Sequence, residues 1–301
     1  MRRSGWIIIV YLLYHHVSAA QSTSINRQQF FLDDRLINVT LTTDIKKLRN
    51  DKKTSAWQPG NIVMQFSDTL ELSGEIKVKP RGIYRKKYCD MASLMLDFKS
   101  APPSKLSRLK SLKLVGGCHS GASDEALLLK EYLTYKIYNF ISAMSFRVRL
   151  LHVTYKDSKQ KAKDYSQYAF LMEDMKDLAE RNNCKEVKKG CNTESTDRQQ
   201  INLVSIFQYM IGNTDWSVPV MHNIKLMIPK NDTLARPYPI PYDFDYAGIV
   251  NAPYAVPDEA LETQSVTERV YRGFPRNMNE LQVNIDKFKE KKEQIMFYMK
   301  V

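Results

Sequence analysis

The stretch IGNTDWSVPVMHNIKLMIPKNDTLARPYPIPYDFDYAG, residues 211–248, contains the features on which our prediction of fold and site depends. Two alternating apolar runs lie on either side of the polar turn at residues 230–233, and together they predict a β-hairpin. A hairpin brings the start of its first strand beside the end of its second, so we expect Asn223 to lie near Asp243. With Asp215 upstream, two carboxylates and one amide oxygen would then face one cavity.

Oxygen ligands of this kind suit Mg²⁺ or Mn²⁺. Asp245 follows Asp243 by two residues and could share the metal or cap the next turn. In a phosphoryl-transfer site an Asp accepts the proton of the substrate hydroxyl, while an Asn and a second Asp hold metal against the phosphates. Asp and Asn also collect in ordinary loops, and a purely local role for Asp215 and Asn223 is the alternative.

The remainder of the chain divides into a strand-rich part and a helical part. Between residues 124 and 140 the apolar period changes from two residues to that of a helix. Beyond Glu173 the pattern is mainly helical, with an apolar helix at 203–210 and an amphipathic one at 281–299. Alternation of apolar and polar residues predicts strands at 36–42, 62–66, 70–78, 94–98, 112–115, 147–155 and 168–172.

The first twenty residues have the pattern of a secretory signal peptide. Arg2 and Arg3 form a basic start, and the apolar stretch Trp6–Tyr14 is too short to span a bilayer. The small residues Ser18–Ala20 predict cleavage near Ala20 and export of the protein to a periplasmic or extracellular location. A short N-terminal anchor is the alternative interpretation.

Export makes the cysteines candidates for disulfides. The four cysteines are Cys89, Cys118, Cys184 and Cys191, which allow three pairings. A local bridge from Cys184 to Cys191 across a short polar loop is natural, and Cys89 would then pair with Cys118. A zinc site is the competing interpretation, but the chain has no CxxC pair and His119 is the only imidazole nearby.

Composition indicates a folded and strongly basic protein. The 301 residues are 43% hydrophobic and 26% charged, which excludes disordered and low-complexity classes. The formal net charge of +12 is concentrated at 46–53, 77–87 and 287–292. Such patches attract nucleic acid, phosphate ligands or anionic surfaces, or are simply solvated. Because no nucleic-acid-binding motif accompanies the charge, we expect no nucleic-acid partner, and no later apolar run predicts a stable membrane span.

The motifs of the second half resemble those of the spore-coat CotH kinase family. The resemblance rests on Asn213–Trp216 with Asn223, followed by Pro241–Asp245, and on Arg81–Gly82, which is similar to the start of that family's RGNSS-type segment. It covers roughly residues 75–250. Two further segments, one on the predicted helix and one at the expected lobe junction, occur in the family's order: Lys130–Glu131 and Phe170–Glu173.

The resemblance implies an α+β, two-lobed atypical protein-kinase-like fold. On this interpretation residues 21–172 form a strand-rich N-lobe with one helix. Residues 173–301 form a mainly helical C-lobe that carries the catalytic-loop and metal motifs.

The family's site roles carry over to individual residues here. Asp215 resembles the catalytic Asp, and the resemblance implies metal ligands at Asn223, Asp243 and Asp245. It implies nucleotide-binding roles at four more positions, namely Arg81, Lys87, Glu131 and Glu173. The Lys that the family places before the 94–98 strand is replaced by Asp90–Ser93, so Lys87, Lys79 and Lys99 are the candidate substitutes.

The implied activity is transfer of phosphate from ATP, with Mg²⁺ or Mn²⁺, to a Ser or Thr of a secreted or surface protein. The alternative is a catalytically inactive kinase-like module that binds a surface protein or a glycan, which the missing Lys favours. A metal-dependent phosphoester hydrolase that uses the same acidic residues is a third hypothesis.

Overall fold

The computed structural model describes residues 25–50, 54–99, 104–119, 121–232 and 234–299, and the predicted signal peptide with its cleavage site lies outside them. The helices over these residues are α1 (Arg27–Phe30), α2 (Ile45–Asn50), α3 (Tyr84–Tyr88), α4 (Ala122–Ile141), α5 (Met175–Arg181), α6 (Arg198–Ile211) and α7 (Met278–Tyr298). The strands are β1 (Ile37–Thr43), β2 (Gln58–Ser67), β3 (Leu70–Arg81), β4 (Ser93–Asp97), β5 (Ser111–Gly116), β6 (Val148–Asp157), β7 (Tyr165–Met172), β8 (Cys184–Val187), β9 (Ile224–Pro229) and β10 (Tyr238–Pro241).

The first seven strands form a closed barrel in the order β1-β2-β3-β4-β5-β7-β6. Neighbours pair antiparallel, except that β1 closes the barrel by pairing parallel to β6, with Ile37 opposite Leu151 and Thr43 opposite Asp157. Alternate side chains point inward, as the two-residue period of a strand requires. They fill the barrel with an apolar core that includes Leu41, Leu96 and Leu171.

The predicted two-lobed kinase-like fold with a mainly helical C-lobe is wrong. The strands close into a mixed seven-stranded barrel, and of the residues that the structure describes 33% are helical and 28% lie in strands. The part beyond residue 173 also contains a three-stranded sheet, in the order β10-β9-β8, beside its helices. The reason for the error is that alternation identifies strands but not their partners, and closure depends on a pairing between β1 and β6, which are far apart in the sequence.

The individual elements were predicted more accurately than their arrangement. The strands expected between residues 36 and 172 are confirmed as β1 to β7, and the helix expected at 124–140 is α4. The hairpin is also confirmed, because Ile224 pairs with Pro241 and the Tyr242 N–H donates to the Asn223 carbonyl at 3.1 Å. The expectation of one helix within residues 21–172 is wrong, because α1, α2 and α3 precede α4, and the short elements α5 and β8 were not predicted either. The domain division at residue 172, where β7 ends, stays a prediction.

Helix α4 packs between the barrel and the rest of the chain. Its Tyr135 ring lies 5.7 Å from Phe170 of β7 and 4.7 Å from Phe244, and its Tyr138 ring lies 4.4 Å from Phe207 of α6. These rings belong to a second apolar core that joins the barrel exterior to α6, β9 and β10. Because Phe244 is part of this core, the acidic residues on either side of it are held at a fixed position.

One of the two predicted disulfides is confirmed. Cys89 and Cys118 are bonded, which joins the end of α3 to the connection between β5 and α4. Cys184 and Cys191 are unpaired, so the predicted second bridge is wrong. Residues 184–187 form strand β8 rather than a loop, and the buried Cys184 thiol donates to the Asn182 carbonyl at 3.2 Å.

Within the described ranges, no helix combines the length and the apolar character needed to cross a bilayer.

Candidate functional site

The loop that carries Asp215 is fixed at the end of α6. Gly212 ends this helix in the left-handed conformation, with φ of +67°, and its carbonyl accepts from the Gly248 N–H at 3.0 Å. The buried Asn213 then donates to the Gln208 side chain and accepts from the Asp215 N–H, each at 3.0 Å. Both ends of the motif from Asn213 to Asp215 are therefore held by hydrogen bonds.

Both oxygens of the Asp215 carboxylate are hydrogen-bonded. The Asn223 amide nitrogen donates to Oδ2 at 2.8 Å and to the Asp215 carbonyl at 2.9 Å, which confirms that these residues meet. His222 Nε2 lies 2.7 Å from Oδ1. Sequence alone gives no sign of this contact, because His222 and Asp215 are seven residues apart and meet across the 217–222 turn.

Asp243 follows the hairpin at its open edge. Its backbone is in the left-handed region, with φ of +62°, a conformation that Asp tolerates better than most residues. The N–H of Asp243 donates to the Tyr135 hydroxyl at 2.8 Å, and the residue is exposed. Since Tyr242 is bonded to Asn223, the hairpin places Asp243 at the same edge as Asn223 and Asp215.

A largely buried guanidinium, 14% exposed, joins this edge to the barrel. Arg85 of α3 has its Nη2 at 3.0 Å from Glu131 of α4 and at 3.7 Å from Asp245. Its Nη1 donates to the Gly116 carbonyl at the end of β5. The Tyr254 hydroxyl completes the cluster by donating to Asp245 at 3.1 Å. We call Arg85, Glu131, Asp245 and Tyr254 the arginine cluster.

The arginine cluster holds two carboxyl groups beside one guanidinium. Burial raises the pKa of Glu131 against the opposing charge of Arg85, and the carboxylates of Asp245 and Asp243 raise it further. Burial and Asp243 likewise raise the pKa of Asp245. Carboxyl groups with raised pKa values that face one another are stabilised by a bound proton or by a cation, and here the guanidinium of Arg85 is that cation.

The charge of Asp243 also acts on two basic side chains, Lys113 and Arg81. Burial lowers the pKa of Lys113, on β5, to about 8, and the nearby charges of Arg81 and Lys225 lower it further, while Asp174 and Asp243 oppose the shift. Burial also lowers the pKa of Arg81, against the attraction of Asp243. Positive groups that are crowded and partly dehydrated in this way are stabilised by a bound anion.

Nothing in the sequence marks Lys113 as a functional residue, because it alternates regularly with apolar residues in a strand, as any outward-facing polar residue does. The candidates proposed for its place lie elsewhere. Lys87 is exposed and contacts the Tyr88 ring, and Lys79 lies 4.6 Å from the centre of the Trp57 ring. Lys99 lines a separate cavity beside β1 and β2. Lys113 and Arg81 are therefore the basic residues, besides Arg85, whose charges interact with that of Asp243.

Glu173 has a structural role that the sequence did not reveal. Its side chain is buried, with one oxygen 2.8 Å from Arg181 Nε, and the other accepts from the Arg147 N–H at 3.0 Å. These bonds tie the end of β7 to α5. Because both oxygens are engaged, the structure does not support the predicted contact of Glu173 with a nucleotide.

An open cleft of about 250 Å³ adjoins Asp215. The Trp216 and Tyr246 rings, the His222 imidazole and the Arg272 guanidinium line it together with Asp215. Arg272 donates to the Trp216 carbonyl at 3.2 Å and thus holds the loop of Asp215 in place. The cleft is large enough to admit a hydroxyl-bearing group to the exposed side of the Asp215 carboxylate.

The residues present fit a metal ion held jointly with a phosphate ligand. In the described part of the chain, no three or more His, Cys, Asp or Glu side chains are grouped as a complete metal site. Mg²⁺ commonly uses only one or two carboxylates and takes its other ligands from water and phosphates. Asp243 supplies such a carboxylate, and the Asn223 amide oxygen is free to bind because its NH₂ group is used by Asp215.

Neither a protein-family model nor a curated protein matches this chain. The resemblance to the CotH family therefore stays an interpretation of the motifs.

Replacing Arg85 by Met tests the arginine cluster. The change leaves Glu131 and Asp245 buried without their cation, and we expect the free energy of unfolding at pH 8 to fall by about 3–5 kcal/mol. The loss should be smaller at pH 5, where these carboxyl groups bind protons. Urea unfolding measures both values. The exposed Arg35, which pairs with Asp33, is the matched control, and Arg35→Met should change stability by less than about 1 kcal/mol. Equal effects of the two variants would contradict this role for Arg85.

Replacing Lys113 by Met tests whether this Lys is held under electrostatic strain. Its pKa of about 8 lies below the ordinary value of 10.5, so the unfolded chain binds more protons between these pH values. We expect Lys113→Met to be more stable than the wild type at pH 7 by roughly 1–3 kcal/mol, and the gap to close as pH rises from 8 to 10.5. Urea unfolding across this range measures it, with the exposed Lys289→Met as control. Loss of stability at pH 7 would show that Lys113 is not strained.

Proposed function

We propose that this protein transfers a phosphoryl group from ATP, bound with Mg²⁺ or Mn²⁺, to a hydroxyl group of a secreted or surface protein. The observation that carries the proposal is the position of Asp215, Asn223 and Asp243 at one edge, where the charges of Lys113 and Arg81 interact with that of Asp243. The proposal rests on this site and its charges, and not on the overall fold.

The two sides of Asp243 have complementary tasks. Lys113 and Arg81 bind the phosphate oxygens, whose charge relieves the repulsion between these crowded cations. Asp243 and Asn223 hold the metal ion, which supplies charge neutralisation of the phosphates when it is bound.

Asp215 acts on the acceptor. A hydroxyl group in the adjoining cleft loses its proton to the Asp215 carboxylate as its oxygen bonds to the terminal phosphorus, and the bond from that phosphorus to the departing diphosphate breaks. The bonds from Asn223 and His222 hold the carboxylate in one orientation, which lowers the entropy cost of reaching this geometry.

The disulfide between Cys89 and Cys118 supports the export of the protein, since such bonds persist mainly in oxidising compartments. The disulfide also holds α3, and therefore Arg85, beside α4.

A binding module without catalysis is the second candidate. The observation that favours it is the contact of His222 with Oδ1 of Asp215, because that oxygen would otherwise be available to a hydroxyl group. In this case the site would bind ATP and metal, or the cleft would bind a surface protein or glycan, with no transfer.

Calorimetric titration with ATP, with and without MnCl₂, tests the proposal. We expect binding that requires both components in the wild type, and a loss of affinity of about tenfold or more in Asp243→Asn. Asp215→Asn should bind within about threefold of the wild type but lose transfer to a library of Ser and Thr peptides. Asp286→Asn, on the exposed side of α7, is the control for loss of a carboxylate.

Unchanged metal-dependent binding in Asp243→Asn would overturn the assignment of the metal site. Binding without any product would favour the inactive module. Release of free phosphate that depends on Asp215 would indicate hydrolysis in place of transfer.

A further inference from the structure

A second cavity, separate from the Asp215 site, lies where α7 packs against α4 and α6. It is a groove of about 480 Å³, within the range of roughly 300–1,000 Å³ that small-molecule sites occupy. Its apolar lining comes from Ile137, Met210, Ile211, Ile249, Phe288, Ile295, Met296 and Met299. The cleft beside Asp215 is lined by other residues.

The remaining lining residues of the groove are cations. Arg269, Lys289 and Lys292 line it, and among the described residues no acidic side chain does. All three are exposed. Arg269 uses its Nε to donate to the Met210 carbonyl at 3.1 Å, and Lys289 lies 3.9 Å from Asp286. A wholly apolar interior with a positively charged rim is complementary to a ligand with an apolar body and an anionic head.

We infer that this groove binds a single-chain anionic amphiphile of the fatty-acid type. The acyl chain lies among the apolar side chains, and the carboxylate lies at the rim with Lys292, Lys289 and the free nitrogens of Arg269. Three of the lining residues are Met, whose flexible and polarisable side chains adapt to an alkyl chain. The inference is independent of the proposed phosphoryl transfer.

The shape of the surface favours a free amphiphile over a bilayer. Met296 and Ile295 face into a concave groove, with the cations beside them, so one chain can enter while its head remains at the rim. Phe297 is the most exposed large apolar residue in this part of α7, at 70%, yet it does not line the groove. A helix that docks on a bilayer would instead present its apolar residues on one projecting face.

Calorimetric titration of the full chain with dodecanoate, below its micelle concentration, tests the inference. Two neighbouring residues give a matched pair of variants. Met296→Glu places a carboxylate inside the groove, whereas Phe297→Glu adds the same charge at an exposed position next to it. Both residues are largely exposed, so neither change should prevent folding. Dodecyltrimethylammonium serves as a probe with the same chain and the opposite charge.

We expect dodecanoate to bind the wild type and Phe297→Glu within about twofold of each other, and Met296→Glu to lose about tenfold or more in affinity. Lys292→Gln should weaken binding about threefold to tenfold, because it removes one rim cation. Dodecyltrimethylammonium should bind the wild type at least about tenfold more weakly than dodecanoate.

The inference would be overturned if dodecanoate did not bind, if Met296→Glu and Phe297→Glu lost affinity equally, or if the cationic probe bound as tightly as dodecanoate. Sedimentation with phosphatidylserine vesicles provides a further test, and sedimentation without binding of free dodecanoate would also overturn it. The last would indicate that the surface docks on a bilayer.

Discussion

The structure of the candidate site depends on one buried guanidinium. Arg85 contacts Glu131 of α4, Asp245 of the loop after the hairpin, and the carbonyl of Gly116 at the end of β5. A charge with so little exposure to water is tolerated only where opposite charges and hydrogen-bond acceptors surround it. This requirement brings α3, α4, the barrel and the hairpin loop to one point, and the disulfide at Cys89 holds α3 there.

The site has the electrostatic character of a functional region. On one side of Asp243 the carboxyl groups of Glu131 and Asp245 have raised pKa values, and on the other side Lys113 has a lowered one. Both shifts mean that burial and neighbouring like charges disfavour the charged forms of these groups. Binding sites commonly have this character, because the bound ligand supplies the missing opposite charge. Here a metal ion and a phosphate chain would meet both needs at once.

The sequence predicted local elements and local contacts well, and distant contacts poorly. The hairpin brought Asn223 to the predicted edge, and Asp215 meets it through a turn that is close in the sequence. Barrel closure was not predicted, because the pairing of Ile37 with Leu151 leaves no trace in the periodicity of either strand. Lys113 has the ordinary alternation of a surface residue, and its role depends on what lies opposite. Glu173 shows the opposite error. Its place in the sequence suggested a contact with a ligand, but its carboxylate is paired with Arg181.

In the proposed phosphoryl transfer, four separate segments of the chain form one nucleotide site. Hydrogen exchange measured by mass spectrometry, with and without ATP and MnCl₂, tests this most directly, since it reports each segment independently. We predict slower exchange on ligand addition, together, in the segments at 81–88, 111–116, 213–223 and 241–246. Exchange that is unchanged in these segments at millimolar ATP and Mn²⁺, or slowed only in other parts of the chain, would contradict the account.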